Sequence, residues 1–334
     1  MTSGAEPVIE VRDLVKHFPV TKGVVFRKGV GTVHAVDHVS FDIAPGEAFG
    51  LVGETGCGKT TTARLISGLL EPTSGSVRFE GEEVTGASKE RLARLRREVQ
   101  IVFQDPYSAL NPRKTVGSII AAPFEIHGVG DRERRRRGVR ELMEMVGLNP
   151  EHYNRYPHEF SGGQRQRVGV ARALALRPKL VIADEPVSAL DVSIQAQILN
   201  LLRELQRELG LTLILISHDL SVVRHMCDRV AVMYLGALVE LADADALYEH
   251  PRHPYTGALL SAVPVPDPRA ARERRLLGGD VPSPQNPPPA CRFHTRCPKA
   301  QELCTIEEPP LEPKEGGNLA ACHFPLTDEE VARP

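Results

Sequence analysis

The segment GETGCGKT, Gly53 to Thr60, limits what this chain can fold into more than any other segment. It matches the P-loop pattern G-x-x-x-x-G-K-[ST], and it lies between a short apolar run, Ala48–Val52, and a helical pattern, TTARLISGLL. Glycines let the loop turn tightly, so that backbone N–H groups and the helix N-terminus face phosphate oxygens. The sequence therefore predicts a strand, a loop and a helix that together bind a nucleotide. The alternative is a glycine-rich turn that matches by chance.

Two side chains of this segment have defined chemical tasks. The Lys59 ammonium is expected to contact the β- and γ-phosphates, and the Thr60 hydroxyl is expected to bind Mg²⁺. The thiol of Cys57 is expected to face away from the phosphates. The whole set predicted to bind the nucleotide here is Gly53, Glu54, Thr55, Gly56, Cys57, Gly58, Lys59, Thr60 and Thr61.

The residues from about Pro7 to Ala262 alternate apolar runs with helical patterns, as an α/β domain does. The runs EAFGLVG, KLVIADEP and LTLILISHD are short and end at turn signals, which predicts buried parallel strands. Residues 87–160 show helical patterns without long β runs, which predicts a helical insertion. Between the last two strands a crossover helix is predicted from the helical spacing of Ile194, Ile198, Leu201, Leu202, Leu205 and Leu209.

The run LVIADE, Leu180 to Glu185, is an apolar strand that ends in two carboxylates. Asp184 is expected to hold Mg²⁺ beside the P-loop, and Glu185 to position and polarise the attacking water. A helix cap or a solvated turn is the alternative for such a pair. The P-loop upstream makes the catalytic interpretation the better one.

Charge and hydropathy restrict the binding partners and the cellular compartment that are expected for this protein. The 334 residues include 41 basic and 43 acidic side chains, so no overall field favours nucleic acid. The basic run RERRRRGVR, Arg132 to Arg140, is interpreted as a solvated helix face. No run approaches the ~18 apolar residues that a membrane span needs. The N-terminus carries acids and does not resemble a signal peptide, so a cytosolic protein with reduced thiols is expected.

The segment FSGGQRQR, Phe160 to Arg167, identifies the family. Ser161 can cap a helix, and Gly162 and Gly163 leave its first N–H groups accessible to an anion. Together with the P-loop and LVIADE, this segment resembles the signature of the ABC ATPases, with Phe160 where the family usually has leucine. The resemblance covers about residues 7–262.

The resemblance implies further site residues. Gln104 in VFQDP resembles the Q-loop glutamine, and Asp191 ends SALD, which resembles the D-loop. His218 resembles the switch histidine that contacts the γ-phosphate. Phe18 stands where the family places an aromatic ring on adenine, although a core phenylalanine is the alternative. The implied catalytic residues are Glu185, His218 and Gln104, and the implied Mg²⁺ ligands are Thr60, Gln104 and Asp184.

The resemblance also implies a fold and a dimer. The expected fold is an α/β P-loop NTPase with a RecA-like core, an antiparallel β subdomain and a helical subdomain at about 87–170. A small loop-rich C-terminal extension, residues 263–334, follows the ATPase domain of residues 7–262. In ABC ATPases two domains pair head to tail, with each ATP between the P-loop of one and the Ser-Gly-Gly of the other. The signature residues Ser161, Gly162, Gly163 and Gln164 would then serve the partner's nucleotide.

Two segments resemble the oligopeptide and dipeptide importers: HPYTGALLSAVPVPDP, His253 to Pro268, and the spacer VTKGVVFRKGVGTVHAV. This implies a second ATPase subunit in a heterodimer, two permease subunits and an extracytoplasmic binding protein. The chain would then lie at the cytoplasmic face of the cell membrane. Nickel or another small solute is an alternative cargo for the same subfamily. A non-transport ABC ATPase is disfavoured, because the sequence lacks a second P-loop and sustained heptads.

Four of the six cysteines lie in the last 44 residues: Cys291, Cys297, Cys304 and Cys322. Four thiolates in a reducing compartment indicate zinc or an iron–sulfur cluster. Structural zinc usually shows a C-x2–4-C knuckle, which these spacings lack. Free or reversibly oxidised thiols are a further alternative. The pattern resembles the extension of peptide-importer ATPases, which implies a [4Fe–4S] cluster in some members.

Overall fold

The computed structural model describes residues 6–22, 28–105, 109–263 and 277–332. These residues form two compact units, each built from separate parts of the chain. The first unit comprises Ala44–Ala48 and Ala87–Ile216. The second comprises Glu6–Ile43, Phe49–Gly86 and the described residues from Ser217 onward.

The secondary structure of the described residues alternates between strands and helices. The strands are β1 (Ile9–Lys22), β2 (Lys28–Ile43), β3 (Ala48–Val52), β4 (Ser74–Phe79), β5 (Glu82–Glu83), β6 (Val99–Val102), β7 (Leu180–Asp184), β8 (Thr212–Ser217), β9 (Arg229–Tyr234), β10 (Ala237–Asp243), β11 (Glu312–Pro313) and β12 (Leu319–Ala320). The helices are α1 (Lys59–Ile66), α2 (Lys89–Glu98), α3 (Val116–Ile126), α4 (Arg132–Met145), α5 (Gly162–Leu174), α6 (Val192–Leu209), α7 (Leu220–Met226), α8 (Ala244–Glu249), α9 (Pro254–Ser261), α10 (Leu303–Ile306) and α11 (Asp328–Ala332). Short 3₁₀ turns occupy Pro150–Asn154, Pro157–Glu159 and Glu315–Gly317.

The first unit contains a parallel sheet of β6, β7 and β8, with β7 in the centre. Every residue of β7 and β8 is buried, as their continuous apolar runs predict for strands covered on both faces. In the register of this pair, Asp184 lies opposite Ile216. The strands predicted from KLVIADEP and LTLILISHD are therefore confirmed.

The predicted crossover helix is α6, Val192–Leu209. Ile198, Leu201, Leu202 and Leu205 form its buried stripe, as the spacing predicts. Leu209 lies in the helix, as its spacing predicts, but its side chain is 45% exposed. Leu209 is the last helical residue, and Gly210 turns the chain away in the left-handed conformation that glycine adopts without strain.

The basic run lies on α4, and its face is solvated as interpreted. Val139, Leu142 and Met143 form the buried side of this helix. Most of its arginine side chains are exposed. Across the described part of the chain, no helix combines the length and apolarity that crossing a bilayer requires.

The second unit holds the P-loop strand. The predicted strand of EAFGLVG is β3, which is fully buried and pairs with β9 in parallel. Strand β10 pairs with β9 and β12, and β11 pairs with β12, all antiparallel. A separate antiparallel sheet has the order β2-β1-β4-β5. The expected antiparallel β layer and the parallel P-loop strand are thus both present in this unit.

The C-terminal extension belongs to the second unit and contributes to its sheet. It is loop-rich as predicted, yet β12 continues the sheet beside β10, with Glu240 opposite Ala320. The Glu240 side chain is fully buried and accepts hydrogen bonds from the backbone N–H groups of Arg252 and His253 at 2.7 and 2.9 Å. It also accepts one from Asn318 Nδ2 at 3.2 Å. This carboxyl therefore joins the start of α9 to the extension, and burial raises its pKa.

Candidate functional site

The P-loop joins β3 to α1 within the second unit. Gly53 has φ 148°, and a Cβ there would lie 2.2 Å from the carbonyl oxygen of Met233. Gly58 has φ 110°, and its Cβ would lie 2.2 Å from the carbonyl oxygen of Ala35. Atoms cannot approach so closely, so only glycine fits at either position. The loop is therefore packed directly against neighbouring backbone on two sides.

The Lys59 side chain is buried at the start of α1. Its ammonium donates to the carbonyl oxygens of Gly53 and Glu54 at 2.7 and 3.0 Å. Cys57 is also buried, and burial raises the pKa of its thiol. Thr55 and Gly56 are exposed at the tip of the loop. The loop thus presents exposed backbone beside a fixed cation, which is the arrangement that binds phosphates.

The two carboxylates at the end of β7 lie in the first unit. Asp184 is 8% exposed, at the last position of the strand. Glu185 adopts a left-handed conformation with φ 46°, and its N–H donates to the carbonyl oxygen of Ile216 at 3.0 Å. A non-glycine residue in this region costs free energy, and such strain concentrates at functional sites. The backbone turn therefore fixes the direction in which the Glu185 carboxylate leaves the sheet.

The same unit brings Gln104 and Glu185 together. Gln104 Nε2 donates to Glu185 Oε2 at 2.9 Å and to Ser188 Oγ at 3.3 Å. Ser188 Oγ in turn donates to the carbonyl oxygen of Glu185 at 3.2 Å. Gln104, Glu185 and Ser188 therefore form one hydrogen-bonded group.

Sequence reasoning missed Gln195, which holds the D-loop. Its side-chain amide donates to the carbonyl oxygens of Val187 and Leu190, both at 3.0 Å. Asp191, at the end of the SALD segment, is the N-cap residue of α6. Its backbone carbonyl accepts hydrogen bonds from the N–H groups of Ile194 and Gln195. A polar residue in the first turn of an otherwise amphipathic helix was the only available signal for Gln195.

The Ser-Gly-Gly segment begins α5. Ser161 Oγ accepts from the N–H of Gln164 at 3.3 Å, and Gln164 Oε1 accepts from the N–H of Ser161 at 3.0 Å. This reciprocal pair is a capping box, and it confirms the predicted N-cap. A Cβ on Gly163 would lie 2.5 Å from Ile194 Cγ2, so the glycine lets α5 approach α6 closely. Ser161 and Gln164 are exposed at this helix end.

Phe18 and His218 are exposed residues of the second unit. Phe18 lies on β1, paired with Val33, and is 37% exposed. The Lys16 ammonium lies 5.2 Å from the centre of its ring. Exposure is what a ring available to adenine requires, and the alternative of a core phenylalanine is not what the structure shows. His218 follows directly after β8.

The HPY segment begins α9 and is buried. His253 caps the helix, its Nδ1 accepting from the Tyr255 N–H at 3.1 Å, and burial lowers the pKa of His253 to about 3. This imidazole is therefore neutral at physiological pH. The rings of Tyr234, Tyr255 and Phe293 pack with centroids 4.8 to 5.4 Å apart. An aromatic cluster thus joins β9, α9 and the extension, and sequence reasoning did not predict it.

The four cysteines of the extension are free thiols, of which only Cys297 is partly exposed. The N–H of Cys291 donates to the carbonyl oxygen of Cys304 at 3.1 Å. Burial raises the pKa of Cys291 to about 11, and burial together with the charges of the other three thiols raises the pKa of Cys322 to about 12. Cys227, outside the extension, lies just after the end of α7 and is buried, one residue beyond the helix in which it was expected.

Within the described residues, the groups of His17, His34 and Asp37 form the one set of three possible metal ligands within 4.8 Å of one another. His17 Nε2 lies 3.0 Å and His34 Nδ1 3.3 Å from the Asp37 carboxylate. The Arg292 guanidinium also donates to this carboxylate. Burial alone would raise the pKa of Asp37, but the hydrogen bond and charge of Arg292 lower it. The Arg292 guanidinium supplies the positive charge beside the Asp37 carboxylate. We therefore interpret these four side chains as an ion-pair network.

Comparison with known proteins gives the family of this chain. Residues 36–188 match the ABC transporter family, and residues 239–304 match the oligopeptide/dipeptide transporter C-terminal region. The chain is 53% identical to the oligopeptide transport ATP-binding protein AppF of Bacillus subtilis (strain 168), over 96% of this chain and 98% of that protein. It is 54% identical to the probable peptide ABC transporter ATP-binding protein y4tS of Sinorhizobium fredii, over 96% and 90%. A solved structure of the ATP-binding cassette MJ0796 bound to ADP and Pi is 29% identical, with a TM-score of 0.62 over 71% of this chain and 98% of that chain.

The P-loop, the carboxylate-ended strand and the capped Ser-Gly-Gly helix define an ATPase of the ABC class, and the solved cassettes confirm the predicted fold. The two matched segments and the relatives then give the subfamily. The chain belongs to the ATP-binding subunits of oligopeptide/dipeptide ABC transporters.

Proposed function

We propose that this ABC ATPase powers the uptake of oligopeptides or dipeptides through separate permease subunits. The observation that carries the proposal is the presence, in one chain, of a complete set of ABC motifs and the transporter C-terminal region at residues 239–304. The names of the most similar relatives reported above support a peptide cargo.

The described side chains support a division of work in ATP hydrolysis. Lys59 and the glycine-rich loop bind the phosphates, and Phe18 stacks on adenine. Thr60, Gln104 and Asp184 would hold Mg²⁺, which supplies charge neutralisation at the phosphates. The remaining assignments are the partner-facing signature residues Ser161, Gly162, Gly163 and Gln164, the D-loop residue Asp191 and the γ-phosphate contact His218.

Glu185 acts as the base in the proposed reaction. Its carboxylate takes a proton from water as the water oxygen bonds to the γ-phosphorus, and the bond to the β-γ bridging oxygen breaks to release ADP. The Gln104 amide, 2.9 Å from Glu185 Oε2, holds the carboxylate in place. Gln104 is also a proposed Mg²⁺ ligand. Binding of ATP with Mg²⁺ would therefore affect the position of the Glu185 carboxylate through Gln104.

The proposed assembly is the one that the resemblance to peptide importers implies. It comprises a second ABC ATPase in a heterodimer, two permease subunits and an extracytoplasmic binding protein, with this chain at the cytoplasmic face of the cell membrane. The ATPase domain is assigned to residues 7–262, with its helical subdomain at about 87–170. The extension is assigned to residues 263–334.

A metal site in the extension is part of the proposal. The four thiols converge, since Cys291, Cys297 and Cys304 all act electrostatically on Cys322. A tetrahedral zinc requires sulfur atoms about 3.8 Å apart. Four thiolates are also the donor set that a [4Fe–4S] cluster takes, and we propose the cluster here, with zinc as the alternative. Its role would be to cross-link the extension.

Transport assays test the proposed cargo. Deleting the gene is expected to abolish uptake of labelled di- and oligopeptides, and restoring the wild-type chain to recover it. A chain carrying Lys59→Ala serves as the control that is made but does not use ATP. Unchanged peptide uptake in the deletion, with a loss of nickel or another small solute, would instead assign that cargo.

Metal analysis after anaerobic purification tests the extension. We expect about four iron and four sulfide per chain, and a loss of both in Cys304→Ser, because the cluster needs four thiolates. Cys227→Ser removes a buried cysteine outside the extension and is the matched control. Zinc in place of iron would assign a zinc site, and wild-type protein free of iron, sulfide and zinc would refute a metal.

A further inference from the structure

The extension contacts the P-loop through a bidentate ion pair. Arg296 Nη1 donates to Glu54 Oε2 at 2.9 Å, and Nη2 donates to Oε1 at 3.3 Å. The Arg296 side chain is 8% exposed and that of Glu54 is 27% exposed. Glu54 is the second residue of GETGCGKT. Paired guanidinium–carboxylate bonds of this kind fix orientation as well as distance.

The backbone of Glu54 is held from the same side. Its N–H donates to the Tyr255 hydroxyl at 2.9 Å, and Arg296 Nη1 also reaches the Tyr234 hydroxyl at 3.5 Å. Both tyrosines belong to the buried aromatic cluster with Phe293. Rings packed in this way have few alternative positions, so their hydroxyl groups are fixed supports.

A second arginine of the extension is connected to the loop indirectly. Arg292 donates to the Asp37 carboxylate and to the carbonyl oxygen of Leu235. The N–H of Asp37 donates to Gly236 O at 2.8 Å, and the N–H of Gly236 donates to Cys57 O at 2.9 Å. A chain of contacts therefore runs from the extension to Cys57, three residues beyond Glu54.

These contacts bear on the ATP site because the Lys59 ammonium also donates to the carbonyl oxygen of Glu54. The side chain, N–H and carbonyl of Glu54 are thus all engaged, and the last engages the lysine that binds phosphate. A loop held in this way loses less conformational freedom when it closes on a ligand. Simple docking of the extension would not require contact with the P-loop. The hydrogen bond from Asn318 Nδ2 to Glu240 Oε1 at 3.2 Å shows that the extension also docks away from the P-loop.

We propose that Arg296 is a positioning residue for ATP, which with Tyr255 holds Glu54 and so fixes the P-loop in the shape that binds phosphate. The inference rests on the proposed role of this loop as the ATP site. It assigns the extension a part in nucleotide affinity. The groups that carry out hydrolysis, Glu185 and Gln104, are not among the residues that Arg296 contacts. The expected signature is therefore weaker ATP binding with little change in the rate at saturation.

The test compares full-length variants in ATP affinity and in hydrolysis by the assembled transporter. Arg296→Met keeps the aliphatic bulk but removes the ion pair. We expect the Kd and KM for ATP to rise about 3- to 30-fold, which lies within the range for coupled neighbouring groups. The kcat should change less than about twofold. Arg296→Lys, which keeps the charge without the bidentate geometry, should be intermediate. Tyr255→Phe should weaken binding in the same direction.

Lys299→Met is the matched control, since it removes an ion pair of the extension that does not touch the P-loop. It should bind ATP as the wild type does, and all variants should retain the wild-type metal content. Wild-type affinity in Arg296→Met would overturn the inference. Should that variant not fold, wild-type affinity in both Arg296→Lys and Tyr255→Phe would overturn it. A wild-type chain that fails to bind ATP would instead refute the proposed function.

Discussion

Replacing Glu185 by glutamine is expected to slow ATP hydrolysis by at least about 100-fold while leaving ATP binding intact. The substitution removes the proton acceptor but keeps the size and shape of the side chain. The glutamine oxygen can still accept from Gln104 Nε2, which lies 2.9 Å from Glu185 Oε2. The backbone should not change, because glutamine tolerates the left-handed conformation at φ 46° as glutamate does. The measurement is single-turnover hydrolysis in the assembled transporter, with ATP affinity determined in parallel.

Glu204→Gln provides the matched control. Glu204 lies at an exposed position of α6, so this substitution makes the same chemical change away from the proposed site. Hydrolysis at the wild-type rate is expected there. If Glu185→Gln bound ATP and hydrolysed it at the wild-type rate, the role proposed for this carboxylate would be wrong.

Replacing Gly58 by alanine is expected to weaken ATP binding by about 100-fold or more. The added Cβ would lie 2.2 Å from the carbonyl oxygen of Ala35, and this backbone atom cannot yield as a flexible side chain can. The conformation at φ 110° is itself unfavourable for alanine. Since Gly58 is the N-cap residue of α1, the shift would reach Lys59 directly. Calorimetric titration with ATP measures the loss.

Gly169→Ala is the control for this substitution. Gly169 lies inside α5, and a Cβ there would meet nothing within 4 Å. Alanine should raise the stability of the helix by up to about 1 kcal/mol without changing ATP affinity. Thermal unfolding of both variants separates a loss of binding from a loss of fold. A Gly58→Ala chain that binds ATP normally would show that the close approach is not required.

Much of the site could be predicted because its functional groups lie in short segments of contiguous residues. The P-loop glycines, the LVIADE strand and the Ser161 cap each depend on neighbours within a few positions. Apolar runs and helical spacing likewise predicted β3, β7, β8 and α6. Burial on both faces leaves a continuous apolar run, and burial on one stripe of a helix leaves a periodic pattern. The spacing does not reveal how deeply each apolar side chain is buried, since Leu209 in the last turn of α6 is 45% exposed.

The contacts of the extension could not be predicted in this way. Arg296 and Glu54 are 242 residues apart, and neither stands in a pattern that points to the other. The same holds for the Tyr255 hydroxyl and the Glu54 N–H, 201 residues apart. Gln195 was missed because a side-chain amide that bonds backbone carbonyls leaves no periodic signal. Pairing of β12 with β10 depends on only two residue pairs.

The sequence by itself determined the class of this protein, because phosphate binding, helix capping and strand burial are local properties of short segments. Only the tertiary structure decided how the accessory residues serve the site. It placed the Gln104 amide beside the Glu185 carboxylate and Arg296 of the extension beside Glu54 of the P-loop. The physical reason is that a contact between distant segments depends on how the whole chain packs, whereas a motif depends on the few residues that compose it.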